Sequence, residues 1–437
     1  MQALISQLDS ILPTALTGCV VRTDGATTAV AGFPAPVGSL VEIERHGGKP
    51  VHGEVIGFRE QLTLVSPLGE LTGVRYGSRV RLTQTSRFIR LGEGLLGRVI
   101  DARGRSIDDL PEPILRQRAA LQRTAPPALE RPHIDRPLAT GIRAIDGLLP
   151  CGRGQRMGIF AGAGVGKSVL LGMMARATAA DVNVIALIGE RGREVNEFIQ
   201  RQLGPTGLKK SVVVVATSDE PALVRVKAAL TATTVAEYFR DQGRDVLLAM
   251  DSLTRFATAQ REIGLAAGEP PAMRGFPPSV FGALPRLLER AGRSSSGSIT
   301  AFYTVLVEGD DLNEPISDAV RSLLDGHIVL SRKLAGAGHY PAIDILESVS
   351  RLAPCVSTPA QQSAMHWLRG LLAAYRDHED LISVGAYRAG TNPQVDLALA
   401  MRDQLARYLR QAQDERSPRE DTVRELLRLA EASGAAA

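Results

Sequence analysis

The chain has 437 residues, enough for about three domains at roughly 150 residues each. Its 44% hydrophobic and 22% charged content excludes general disorder, and a formal charge of +4 from 51 basic and 47 acidic residues gives no footprint of a nucleic-acid binder. No apolar run approaches the ~20 residues that span a bilayer, and Cys19, Cys151 and Cys355 form neither a disulfide framework nor a zinc spacing.

Leu4, Ile5, Leu8, Ile11 and Leu12 make one helical stripe, which suits a helix packed on its own domain or a docking helix for a partner. The first basic residue is Arg22, so no secretory leader is expected, and the cysteine usage fits a reducing cytosol. From Thr17 to Thr85 short strands and turns predict a small all-β barrel. Within it Val41 and Ile43 alternate with Glu42 and Glu44, and His46–Lys49 turns the chain into Val51–Phe58. Residues 111–137 hold Pro111, Pro113, Pro126, Pro127, Pro132 and Pro137 among charges, the composition of an extended surface connector.

From about Gly141 to Leu346 the texture is α/β. Apolar runs at Gln155–Ala161, Val182–Ile188, Val212–Ala216, Val246–Met250, Ile299–Val307 and His327–Leu330 alternate with amphipathic stretches, which predicts a parallel sheet covered on both faces. After about Thr358 the chain reads as helical. Met365, Leu368, Leu371, Leu372 and Tyr375 share a face, and Ser417-Pro-Arg-Glu420 resembles a capping box ahead of Val423, Leu426, Leu427 and Ala430.

The strongest motif is Ala161-Gly162-Ala163-Gly164-Val165-Gly166-Lys167-Ser168, which departs from G-x-x-x-x-G-K-[ST] only where Ala161 replaces the first glycine. Three glycines let backbone N–H groups close around phosphate oxygens, Lys167 brings a charge to the β- and γ-phosphates, and Ser168 offers Mg²⁺ a hydroxyl. Met157–Ala161 reads as the strand before this loop, and Val169–Ala180 as a helix whose N-terminus faces the anion. Asp251 ends an apolar run, which suits either a Mg²⁺-associated carboxylate or a cap for the helix that follows. Glu190 ends another, where it either orients the attacking water or pairs with Arg191 or Arg193.

Taken together, Thr140–Asp146, Cys151–Ser168, Leu187–Glu197, Met250–Glu262, Gly268–Pro271, Ser298–Asp311, Asp325–Arg332 and Gly338–Arg351 resemble the flagellar protein-export ATPases, relatives of type III secretion ATPases and of the rotary ATP synthase β subunit. The resemblance is weaker in the barrel, at Phe33–Gly38, and in the tail, where Leu381–Tyr387 is more similar to the flagellar branch than to the virulence branch. It implies an α/β fold: a RecA-like phosphate-loop core with a small N-terminal β-barrel and a C-terminal helical domain, divided at 1–88, 89–352 and 353–437.

The resemblance also implies roles. Glu190 matches the catalytic glutamate, Arg191 a group beside the γ-phosphate, Asp251 the Mg²⁺-associated aspartate, Arg351 an arginine finger that reaches a neighbour's nucleotide, and Tyr340 the aromatic that stacks on adenine. Glu190 and Arg351 in one polypeptide imply that identical subunits in a head-to-tail ring, a homo-hexamer, are all catalytic. The cofactors implied are ATP and Mg²⁺. The partners implied are a regulatory stator-like export protein at the N-terminal helix, a central stalk coiled coil, export chaperone–substrate complexes and the membrane export gate. The expected location is cytoplasmic, peripheral to the inner membrane, with no nucleic acid bound. Gly268–Pro278 resembles a loop facing the central hole, or serves as a rigid connector. The rival readings are a virulence secretion ATPase, a non-catalytic ring subunit and an RNA ring helicase.

Overall fold

The computed structural model describes residues 16–24, 27–85, 88–307, 309 and 311–434; the stripe over residues 4–12 lies outside them. The apolar runs become one mixed sheet. Across it the strands are Ile343–Ser350, Gly326–Leu330, Arg156–Ala161, Ser298–Leu306, Asp245–Asp251, Val182–Glu190, Ser211–Thr217 and Val99–Asp101. Neighbours pair in parallel except Ile343–Ser350, which runs antiparallel to Gly326–Leu330, and the short Gly292–Arg293, which pairs antiparallel to Ser298–Leu306. The sequence predicts a parallel sheet. The antiparallel edge escapes that reading because its polar and apolar residues intermix, and Val99–Asp101 escapes it because three residues carry no period.

Successive side chains leave opposite faces of a strand, so a strand buried on both sides is apolar throughout. Val184, Ala186 and Ile188 pack on one side with helix Ala222–Asp241. Ile185 and Leu187 pack on the other, with helix Lys167–Ala177 and the C-terminal helices.

Six strands close a barrel in the order Thr17–Thr23, Thr28–Ala31, Leu62–Pro67, Val51–Arg59, Leu40–Ile43 and Arg79–Gln84, leaving no unpaired edge. Val41 and Ile43 are fully buried, while the Glu42 carboxylate accepts a hydrogen bond from Arg81 at 2.6 Å outside. Lys227 of the core helix and Glu54 of the barrel form an ion pair across the seam, both nearly buried.

The proline-rich segment is tied down rather than free. Gln117–Ala120 pairs with Phe88–Leu91, and Pro137–Leu138 pairs with Cys151–Gly152. The carbonyl of Leu121 accepts from the buried Arg290 guanidinium, which also grips Glu237 at 2.8 Å. The stretch Thr140–Asp146 has a local structural explanation. The buried Asp146 carboxylate accepts from the Thr140 N–H at 2.9 Å, the Thr140 hydroxyl at 2.8 Å and the Gly141 N–H at 2.9 Å.

The tail forms helices Pro359–Ser383, Pro393–Leu409 and Arg419–Ala432. The Thr358 and Asn392 side chains cap the first two. The expected capping box at 417–420 is not formed. Pro418 sits at the N-cap position of the third helix, and the Ser417 hydroxyl turns inward to the buried hydroxyl of Thr422 at 2.8 Å. Among the described residues no helix is long and apolar enough to cross a membrane.

Candidate active site

The C-terminal ends of parallel strands, where loops diverge, are where ligands bind in sheets of this kind. Three predicted residues meet there. Arg156–Ala161 runs into the loop 162–166, which delivers Lys167 and Ser168 to the start of an 11-residue helix. Ala161 is the last residue of its strand, buried and paired with Leu306 and Leu330. A side chain is therefore tolerated where the stricter motif has glycine. The glycines that follow are required. Gly164 and Gly166 have φ of 79° and 96°, the left-handed region. A Cβ on Gly162 would lie 2.6 Å from the Arg332 guanidinium, which packs against the loop. Val165 is buried beneath it, whereas Ala163, Gly164 and Ser168 face solvent, and half-buried Val169 lies in the first turn of the helix.

Two carboxylates converge on Lys167. Its ammonium donates to Asp251 Oδ1 at 2.5 Å and lies 3.7 Å from Glu190 Oε1. Asp251 is nearly fully buried, and the same oxygen accepts from the Thr304 hydroxyl at 2.8 Å. The helix that follows is capped by Ser252, which accepts from the Arg255 N–H at 3.3 Å, so Asp251 is released from that duty. Glu190 is re-aimed by a bulge at Gly189, whose φ is 69°. Burial pushes the Glu190 carboxyl up to about 7, helped by the charge of Asp251 and opposed by Lys167.

Two other predicted residues border or leave this cluster. The Tyr340 ring flanks the phosphate loop, about half exposed; a Cβ on Gly166 would sit 3.6 Å from it. Its carbonyl is held by the Gln411 N–H at 2.9 Å. Arg191 does not join the cluster: its guanidinium is mostly exposed and pairs with Glu194 at 3.3 Å. Glu190 thus pairs with Lys167 rather than with Arg191 or Arg193.

Arg351 is not brought to this site. Ala161 is in register with Leu330, whereas Ser350 is in register with Gly326. Four residues at ~3.3 Å put the two ends about 13 Å apart along the strand, before the loop is counted. Tyr340 and Arg351 thus flank opposite ends of strand Ile343–Ser350. The Arg351 side chain is exposed, and among the described residues its one hydrogen bond is to the Arg321 carbonyl at 3.4 Å. Thr304, Arg332 and Ser252 escaped the sequence reading. The sole signal for Thr304 is a hydroxyl inside the apolar run 299–307.

The cluster fits Mg²⁺ with a nucleotide. Exposed Ser168 and buried Asp251 supply hard oxygens, and a Mg²⁺ site of this type takes one or two protein groups plus phosphates. Among the described residues no three His, Cys, Asp or Glu side chains converge to hold a metal by themselves.

Residues 141–350 match the model of the ATP synthase alpha/beta family, nucleotide-binding domain, and residues 357–428 match the T3SS EscN ATPase C-terminal domain. The chain is 50% identical over 414 residues to the flagellum-specific ATP synthase of Bacillus subtilis, covering 94% of each. It is also 50% identical over 407 residues to the type 3 secretion system ATPase of Xanthomonas euvesicatoria, covering 93% of this chain and 92% of that one. The assembled ATPase EscN of the enteropathogenic E. coli type III secretion system matches with a TM-score of 0.90 at 46% identity, over 94% of this chain and 99% of that one. EscN in complex with its central stalk EscO matches with a TM-score of 0.87. With both regions matched and relatives this similar along nearly their whole length, the chain belongs to the ATP synthase alpha/beta family, as an ATPase of its flagellar and type III secretion branch.

Proposed function

We propose that the chain hydrolyses Mg²⁺-ATP to energise or prime protein export through a flagellar type III apparatus, as a homo-hexameric ring. The observation that carries the chemistry is the convergence of Glu190, Asp251 and Lys167 at the end of the phosphate loop. Water attacks the γ-phosphate in line. Glu190 orients that water and accepts its proton, and Lys167 moves from the carboxylates to the β- and γ-phosphates. Backbone N–H groups of 162–168 cradle the phosphates, and Tyr340 stacks on adenine. Ser168 and Asp251 would hold Mg²⁺, which when bound would supply positive charge to the phosphates. Arg191 is a weaker candidate for the γ-phosphate, since it must leave Glu194 to reach it.

The last cation comes from the next subunit. Arg351 lies about 13 Å along the sheet from the end of the strand that feeds its own loop, and it donates to the Arg321 carbonyl through a long bond of 3.4 Å. A head-to-tail ring brings it to the neighbour's γ-phosphate. The match to assembled EscN, and to EscN with EscO, supports a ring with a central stalk partner. The Gly268–Pro278 loop is the stalk-facing segment in this reading. A stator-like regulator at the N-terminal stripe, chaperone–substrate complexes and the export gate complete the partners, with the ATPase cytoplasmic and peripheral to the membrane.

The flagellar assignment rests on Leu381–Tyr387. The virulence branch stays the second reading because a type 3 secretion ATPase matches at the same 50% identity. Complementation of export in a flagellar ATPase deletion strain separates the two; failure there, with rescue of a virulence secretion deletion, reverses the assignment. ATPase activity against protein concentration tests the chemistry. It should rise steeply as rings form for wild type and stay at background for Glu190→Gln. Concentration-independent turnover would overturn the shared site.

A further inference from the structure

The residue that follows strand Ile343–Ser350 is held by the start of the strand that feeds the phosphate loop. The Arg351 N–H donates to the Asp325 carbonyl at 3.0 Å. Asp325 in turn is gripped by Arg156: the Arg156 N–H and Nε donate to Oδ2 at 3.0 and 3.1 Å, and Nη2 donates to Oδ1 at 3.1 Å. The Asp325 N–H returns a bond to the Arg156 carbonyl at 2.9 Å. Gln155 Nε2 bonds both the Asp325 carbonyl and the Ser350 hydroxyl at 3.2 Å, and that hydroxyl donates to the Pro150 carbonyl at 2.7 Å. A bidentate arginine–carboxylate pair with a reciprocal backbone bond fixes orientation as well as position.

Among the described residues the arginine side chain itself is lightly held, on one 3.4 Å bond. Its backbone is therefore anchored while its guanidinium is free to swing. We infer that Asp325 is the positioning residue for Arg351, and that strand Arg156–Ala161 is a strut with the subunit's own phosphate loop at one end and the grip on its outgoing arginine at the other. The residue serves the neighbour's pocket, not its own. This rests on the reading of Arg351 as a group supplied in trans.

The test uses full-length protein at ring-forming concentration. Asp325→Asn keeps the shape and removes the charge that Arg156 grips. Misplacement of a remote support costs up to about 10²-fold in rate. A fall in kcat of that order is expected, with nucleotide affinity and KM near wild type. Mixed one to one with Glu190→Gln before assembly, about a quarter of interfaces join an intact pocket to an intact arginine. Activity should then return toward that fraction of wild type. Arg351→Ala mixed with Glu190→Gln is the control.

Recovery in both mixtures supports the inference. Recovery in the control alone overturns it, because Asp325 then acts within its own subunit. No recovery in the control overturns the trans reading itself. Ser350→Ala leaves the ion pairs untouched and guards against a folding failure of Asp325→Asn. It should show a smaller loss with the same recovery on mixing, and wild-type kcat in both variants would overturn the inference.

Discussion

Glu190 holds its proton near neutrality because it is buried beside a second carboxylate, and two consequences carry opposite signs in pH. In its proposed role of orienting the attacking water it works ionised, so kcat/KM should rise with pH through about 7 and then level; the profile of residual turnover in Glu190→Gln should be flat over that range. For stability, the native state keeps the proton between 4.5 and about 7, where the unfolded chain has released it. Stability therefore falls as pH rises through that window. Glu190→Gln should melt higher than wild type at pH 8, and the gain should shrink toward pH 5. In the proposed function Tyr340 binds the base and takes no part in the chemistry. Removal of a base-stacking ring costs ~1–3 kcal/mol, so Tyr340→Ala should raise KM about tenfold with kcat little changed, while Tyr340→Phe stays near wild type. At this scale the motif residues were readable because phosphate chemistry restricts residue type: Lys167, Ser168 and the strand-end carboxylates. Thr304 and Arg332 were not, because a hydroxyl or a guanidinium at those positions has many ordinary uses, and only proximity to Asp251 and Gly162 singles them out.

Elements show where local rules suffice and where packing overrides them. Apolar runs became strands because a strand covered on both faces needs no polar position, and the caps at Thr358 and Asn392 follow side-chain chemistry. Ser417 had the same local chemistry and took another partner, since Thr422 is buried and needed a hydroxyl to bond. The contact between helix Arg143–Leu148 and the tail is a closer case of packing. A Cβ on Gly147 would fall 2.0 Å from the Tyr408 hydroxyl, which donates to the Thr422 carbonyl at 3.2 Å. Gly147→Ala must displace that ring. A loss of about 1–3 kcal/mol is expected, read as a lower urea midpoint with the slope unchanged. A midpoint equal to wild type would show that the tail helices yield without cost.

Within one molecule the phosphate loop and Arg351, which we propose serves the neighbouring subunit, lie about 13 Å apart along the sheet. Arg351→Ala should bind nucleotide as tightly as wild type and lose about 10³-fold or more in kcat, as arginines supplied in trans do. Equilibrium binding of a fluorescent nucleotide analogue, beside steady-state turnover, checks both halves; normal turnover would remove Arg351 from the reaction. The sequence by itself determined the phosphate loop, the strand-end carboxylates, the barrel's alternation and the helical tail, because each follows from residue type at short spacing. Only the tertiary structure decided that Lys167 bridges Asp251 and Glu190, that Ser252 rather than Asp251 caps its helix, and that Arg351 lies at the far edge of the sheet. Those facts depend on strand order and register between segments up to about two hundred residues apart, which no local pattern encodes.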